Sequence, residues 1–198
     1  MSENSLKSIA RNVAPPVLWN AAASLKNAVV PKPPPELFGG DGALFCELAL
    51  QAKSYLEYGV GMSTIWMAQN ASAEITGVDS SEEWIAKVVS ETQGKSCDLK
   101  WIDLGELNIW GYPRDFSGRD NFATYPITPW AERSDYDLIL VDGRFRVSCF
   151  LTSLAHAKPG AHIMFDDYIA RPKYHIVEEY LAPAGWSGRQ AHFVVPED

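Results

Sequence analysis

The turn Glu57-Tyr-Gly-Val-Gly-Met-Ser-Thr64 carries the first residues whose types and spacing suit chemistry. Gly59 and Gly61 remove side chains, so a flat ligand could lie against the backbone there. A predicted helix starts near Met62, with Ser63 in its first turn, and its unpaired N–H groups would face a carboxylate or phosphate. Asp79 stands twenty residues beyond Gly59, at the end of the second predicted strand, where it can accept hydrogen bonds from both hydroxyls of a ribose. A Gly-x-Gly pair alone is a weak signal. Preceded by a strand, followed by a helix and answered by an acid at this distance, it marks a site for a nucleoside cofactor that carries an anionic group.

Two details choose among such cofactors. Thr64 occupies the place where a dinucleotide fingerprint has its third small residue. Glu57 directly precedes the turn, where its charge would repel a pyrophosphate but attract an ammonium or sulfonium. Both favour S-adenosylmethionine (SAM) over a dinucleotide. The cofactor-binding candidates are thus Glu57, Gly59, Gly61, Ser63 and Asp79. Asp103, after the third predicted strand, is a candidate acceptor for the adenine amine and reads equally as a plain loop acid.

A second group lies further along. Asp142 ends the fourth predicted strand, and Asp166 and Asp167 end the fifth. Chemistry between such a cofactor and an acceptor hydroxyl would need the acceptor held in line and a proton removed. Three carboxylates converging at one sheet edge would repel one another unless a cation or proton intervened. A hard divalent ion such as Mg²⁺ suits an oxygen cluster of this kind and could lower the pKa of an acceptor hydroxyl. Arg144 and Arg146 could instead pair with the acids or clamp an anionic acceptor. His175, just past the fifth strand, is a candidate base, although a histidine at a helix start can also be purely structural. Metal ligation, metal-free acceptor binding and a structural role all remain open for the three acids.

The elements that must position these residues follow from periodicity. Strands are predicted for KSYLEY, EITGVD, DLKWI, YDLILV and AHIMF, alternating with helices. Asp41 is expected to cap the first helix of this series, and Ser80 with Glu83 to form a capping box for SEEWIAKVVSETQ. Trp84, Ile85, Val88 and Val89 make that helix's apolar stripe. Pro159-Gly160 stops FRVSCFLTSLAHA, Pro172 opens another helix, and WSGRQAHFVVP closes as a hairpin. The pattern predicts an α/β fold: a doubly wound, Rossmann-like, mostly parallel sheet with helices on both faces and a C-terminal antiparallel hairpin. Its ligands would bind at the carboxyl ends of the strands. Residues 104–135 lack periodicity but hold six aromatic residues, which suggests a packed lid or acceptor-binding wall. Residues 1–36 read as a helical, proline-rich appendage, packed on the domain edge or on a second copy in a homodimer, and residues 37–198 as the domain proper.

In element order from about residue 40 to 196, the chain resembles the class I SAM-dependent methyltransferases. LEYGVGMSTIW, WGYP, VDGRFR, DDY and RPKYHIVE are similar to segments of a group of bacterial methyltransferase-like proteins. An Asp after strand four with Asp-Asp-Tyr after strand five is also similar to metal-dependent O-methyltransferases of antibiotic sugars. That resemblance implies Asp142, Asp166 and Asp167 as ligands of Mg²⁺ or another divalent metal. Enzymes of the catechol type carry a lysine shortly after the strand-four acid, where this chain has Gly143-Arg-Phe-Arg146. The activity implied is O-methylation of a small hydroxylated molecule or sugar. Competing readings are a non-catalytic module that binds a nucleoside cofactor and an NAD(P)-dependent oxidoreductase, though no Tyr-x-x-x-Lys pair supports the latter.

Composition limits the alternatives. The 198 residues are 46% hydrophobic and 21% charged, ordinary for a globular domain. A net charge of −8 argues against nucleic acid as a partner. Cys46, Cys97 and Cys149 show no metal or disulfide spacing, and no secretory signal or membrane span is evident. The expected location is cytoplasmic.

Overall fold

Every residue of SYLEY and of LILV is buried, which happens only when a strand is covered on both faces. In a computed structural model, which describes residues 37–92 and 95–197 (for Trp110, the backbone alone), these two strands lie at the centre of a seven-stranded sheet. The N-terminal appendage expected over residues 1–36 lies outside the described residues. The sheet runs in the order β3-β2-β1-β4-β5-β7-β6. Its strands are β1 (Ser54–Tyr58), β2 (Glu74–Asp79), β3 (Cys97–Trp101), β4 (Leu138–Val141), β5 (His162–Phe165), β6 (Gly185–Ser187) and β7 (Gln190–Val194). The first five are parallel, and β7 is antiparallel to both β5 and β6. The predicted fold class and closing hairpin are therefore both present.

Helix α1 (Ala43–Gln51) precedes β1, and helices α2 (Met62–Asn70), α3 (Glu82–Glu91), the single turn α4 (Thr124–Ile127) and α5 (Arg146–His156) lie between strands. Alternation along β1 divides the core. Leu56 and Tyr58 join Ile139, Val141, Phe150, Phe165 and Phe193 on the face covered by α5. Tyr55 turns the other way and meets Phe45 of α1, which also packs on Trp66 of α2.

Several local expectations need correction. Gly42, not Asp41, stands at the α1 N-cap position and provides no side-chain cap; the Asp41 carbonyl instead accepts from Ser187 of the hairpin. Ser81 rather than Ser80 caps α3, accepting from the Trp84 amide at 3.2 Å. Ser80 is buried under the 104–135 segment, its hydroxyl donating to the Gly111 carbonyl. Of the α3 stripe only Val88 is fully buried, whereas Trp84 and Val89 are exposed. The helix covers the sheet's rim, where β3 offers only a partly buried face. Residues Pro172–Glu179 form a 3₁₀ rather than an α-helix.

The aromatic segment divides in two. Tyr125 and Trp130 are buried, and Trp130 donates from its indole nitrogen to the Tyr58 hydroxyl at 2.7 Å. Ile109 and Phe116 are each 76% exposed. Only the first half can act as a lid, because the second half is core.

On β5 and β7, His162 Nδ1 and His192 Nε2 lie 2.9 Å apart with their rings stacked. One ring nitrogen donates and the other accepts, so the accepting ring must be neutral. Burial lowers the pKa of both, and burial plus the neighbouring ring brings His192 to about 4. The unfolded chain therefore binds more protons between about pH 6.5 and 4, and stability is lost as pH falls through that window. Between pH 7.5 and pH 5, wild-type protein should lose about 2 kcal/mol more unfolding free energy than His192→Gln, as read by urea titration. Equal losses would show that the histidine pair does not set the acid limit.

Candidate active site

Parallel pairing brings the carboxyl ends of β1, β2, β4 and β5 to one edge. The backbone ladder continues one residue past them, with Gly59 N bonded to Val78 O, Asp142 N to Tyr58 O and Asp166 N to Val141 O. Both predicted groups of residues thereby reach the same edge.

Glu57 is fully buried. Ser63 donates to one of its carboxylate oxygens and Thr64 to the other, at 2.7 Å for Thr64. The Gly61 amide donates to the same Thr64 hydroxyl at 2.9 Å. Ser63 and Thr64 thus act on the turn by holding Glu57. Burial, only partly offset by these donors, raises the Glu57 carboxyl to about 7.

The two glycines have different tasks. Gly59 has φ +91°, and a Cβ there would lie 2.6 Å from Gly143 Cα. Backbone of the β4 turn, not ligand, fills that space. Gly61 has nothing within 4 Å of a notional Cβ and so flanks open volume, as a cofactor turn requires. Asp79 is half-buried, with one oxygen accepting from the Ser81 amide at 2.7 Å, and burial raises its pKa. Asp103 is exposed and closes a loop turn through the Gly105 amide.

Asp142, Asp166 and Asp167 each offer an oxygen within 4.8 Å of the others, the predicted convergence. Arginines already meet them. Arg146, nearly buried, pairs with Asp142 at 2.8 Å and Asp167 at 3.3 Å, and donates to the backbone carbonyls of Asp142, Gly143 and Asp166. Arg189 grips both oxygens of the fully buried Asp166 and lies 3.5 Å from Asp167. Arg171 pairs with Asp167 at 2.8 Å. A divalent ion needs a near-complete oxygen shell, yet guanidinium nitrogens contact five of the six carboxylate oxygens here. As paired, these donors do not fit the ion. Arg144 stays out of the network and lies over the Tyr112 ring at 4.2 Å.

Burial and the charge of Asp166 push the Asp142 carboxyl well above its ordinary range, against the pull of Arg146. His175 is not part of the cluster. It stacks on Tyr168 at 4.7 Å, with Nε2 3.2 Å from that residue's carbonyl, which can only accept.

Arg189 and Arg171 received no role from the sequence. The first could have been found by register: Phe165 pairs with Ala191, so the last residue of the hairpin turn, just ahead of β7, falls beside the end of β5. Tyr125 was also missed. Its hydroxyl donates to the Val78 carbonyl and accepts from the Arg144 amide, under the ends of β2 and β4.

Gly59→Ala should destabilise the fold by about 2–4 kcal/mol, combining left-handed strain with overlap of the β4 turn. Gly61→Ala should change stability by less than about 1 kcal/mol. Chemical denaturation of both variants compares them directly, and equal costs would contradict the close approach.

No family model matches the chain, and no curated protein does. Among solved structures, a methyltransferase-like protein from Silicibacter pomeroyi is 32% identical, over 76% of this chain and 82% of that one, with a TM-score of 0.68. Cofactor-bound Rv0187 from MTB is 17% identical over 93% and 91% of the two chains, with a TM-score of 0.56. The N-methyltransferase NodS from Bradyrhizobium japonicum, in complex with S-adenosyl-L-homocysteine (SAH), is 18% identical over 98% and 100%, with a TM-score of 0.51. The last two share the fold. With the first sharing nearly a third of the aligned residues as well as the architecture, the chain belongs to the class I SAM-dependent methyltransferase family.

Proposed function

We propose that this protein moves the methyl group of SAM to an oxygen of a small hydroxylated molecule, with residues 37–198 as the catalytic domain and residues 1–36 as an appendage. The observation that carries this reading is the pairing, on one sheet edge, of Asp79 with the open flank of Gly61. Asp79 keeps one carboxylate oxygen for ribose hydroxyls while the other fixes the β2–α3 turn. The Glu57 charge, too buried to touch the cofactor, favours the sulfonium through space. The three cysteines are free thiols, which suits a reducing, cytoplasmic setting. No helix among the described residues is long and apolar enough to cross a membrane.

In the reaction the acceptor oxygen attacks the methyl carbon, and the carbon–sulfur bond breaks on the opposite side. The sulfonium becomes the neutral thioether of SAH. The hydroxyl proton leaves with the new ether bond, and Asp142 is the group we assign to receive it. Its raised pKa makes it a stronger base than an ordinary carboxylate, and Arg146 holds one of its oxygens, so its direction is fixed. No step in this scheme requires a metal.

Calorimetry with SAH is the direct test. Wild type should bind, and Asp79→Asn should weaken binding by about 1–3 kcal/mol, roughly five- to 150-fold, with unchanged thermal stability. No heat of binding at millimolar SAH would defeat the proposal.

Glu57 adds a pH signature. Its carboxyl ionises as pH rises through about 7, so SAM affinity should increase from pH 6 to pH 8 by about 1 kcal/mol, roughly fivefold. SAH lacks the sulfonium charge and should respond less. Glu57→Gln should flatten the SAM profile, and a profile unchanged by that substitution would remove Glu57 from cofactor recognition.

A further inference from the structure

Beside Asp142 the edge opens into a cleft of about 610 Å³, a size that suits a small ligand. Tyr112, from the exposed half of the aromatic segment, lines it together with Phe145, Leu151, Lys173 and Tyr174. Gly143 and Arg144, directly after Asp142, are part of the lining. A ligand lying here has its end against the carboxyl end of β4.

The charge of this cleft is one-sided. Its lining includes Arg144, Arg146 and Lys173 and no carboxylate. Arg146 is committed to Asp142 and Asp167. Arg144 and Lys173 make no ion pair among the described residues; each lies over an aromatic ring instead, at 4.2 Å from Tyr112 and 5.3 Å from Tyr174. Asp79, across the edge, also feels Arg144 at longer range. The Tyr112 hydroxyl senses the resulting field. Burial would raise its pKa, yet Arg144, Lys173 and Arg171 together bring it below the ordinary phenol value. Two cations held against aromatic faces beside apolar walls leave room for an oxyanion on a flat apolar body.

We infer that this cleft takes the methyl acceptor and that the acceptor is anionic: a hydroxylated aromatic or similarly flat molecule bearing a carboxylate or phosphate, which Arg144 and Lys173 hold. The inference rests on the methyl-transfer reading and specifies its substrate class. Arg144 is therefore a specificity residue for the acceptor, and the lid half of the aromatic segment supplies the wall against which the ring lies.

The test uses the full-length protein, saturated with SAH, and three probes titrated by calorimetry: 4-hydroxybenzoate, 4-hydroxyphenyl phosphate and the neutral hydroquinone. At least one anion should bind tenfold or more tightly than hydroquinone, and the better of the two identifies the acidic group. The double variant Arg144→Gln/Lys173→Gln should lose that preference while keeping SAH affinity within about threefold. Lys87→Gln, a remote surface change, should keep the preference. Equal binding of all three probes, no binding by either anion, or a preference that survives the double variant would overturn the inference. Failure of wild type to bind SAH would instead overturn the methyl-transfer reading. The anion preference is then read on the cofactor-free protein, where its absence rejects the cleft as an anion site.

Discussion

Three carboxylates within 4.8 Å of one another, one of them fully buried, need compensation by protons or by positive charge, and here guanidinium groups contact all three. The requirement for charge compensation organises the working edge of the sheet. Arg146 comes from the first turn of α5, Arg171 from the loop ahead of the 3₁₀ segment, and Arg189 from the hairpin turn. Three separate stretches of chain are thereby drawn to the ends of β4 and β5. The hairpin's antiparallel course is what delivers Arg189, since β7 runs back along β5 and so sets the turn that precedes it beside the end of β5.

Backbone geometry at the same edge is unusual in a consistent way. Phe145 and Asp167 are non-glycine residues with positive φ, at 52° and 56°, each a few residues past a central strand. Such conformations cost about 1–3 kcal/mol and persist only where surrounding contacts over-determine them. Those contacts are present. Phe145 packs on Phe122 and Tyr125, and Asp167 is held by three guanidinium groups. Tyr125 also ties the Phe145 turn to β2, because its buried hydroxyl bonds to the Val78 carbonyl and the Arg144 amide. The aromatic segment therefore belongs to the core at one end and to the cleft at the other.

The fold was legible because burial on both faces writes itself into sequence as continuous apolar runs, and LILV and HIMF are such runs. The carboxylate cluster was legible for a related reason: parallel strands align their ends, so acids after β4 and β5 must meet. Partners arriving from distant sequence were not legible. Nothing local to Arg189 announces a contact with Asp166, and only the register of β7 on β5 reveals it. At Gly59 a close approach to ligand and one to another strand's turn demand the same residue, and the approach to the β4 turn was not legible. Caps slipped by one position where glycine or a buried serine competed for the role, as at Gly42 and Ser80. The aromatic segment defied periodicity because its anchors, Tyr125 and Trp130, enter the core singly.

The contact between Gly59 and Gly143 has a consequence for how such a protein can diversify. Gly143 has no more room than its partner, since a Cβ there would overlap the Tyr125 hydroxyl and the Tyr58 backbone. Neither position can accept a side chain unless its surroundings are rebuilt. The residue next to the strand-four acid, a natural place to install new reactivity, is thus closed to mutation. Adaptation to new acceptors has to proceed through the outer loop around Tyr112 and the Lys173–Tyr174 rim, where the chain can change without disturbing the strand ends.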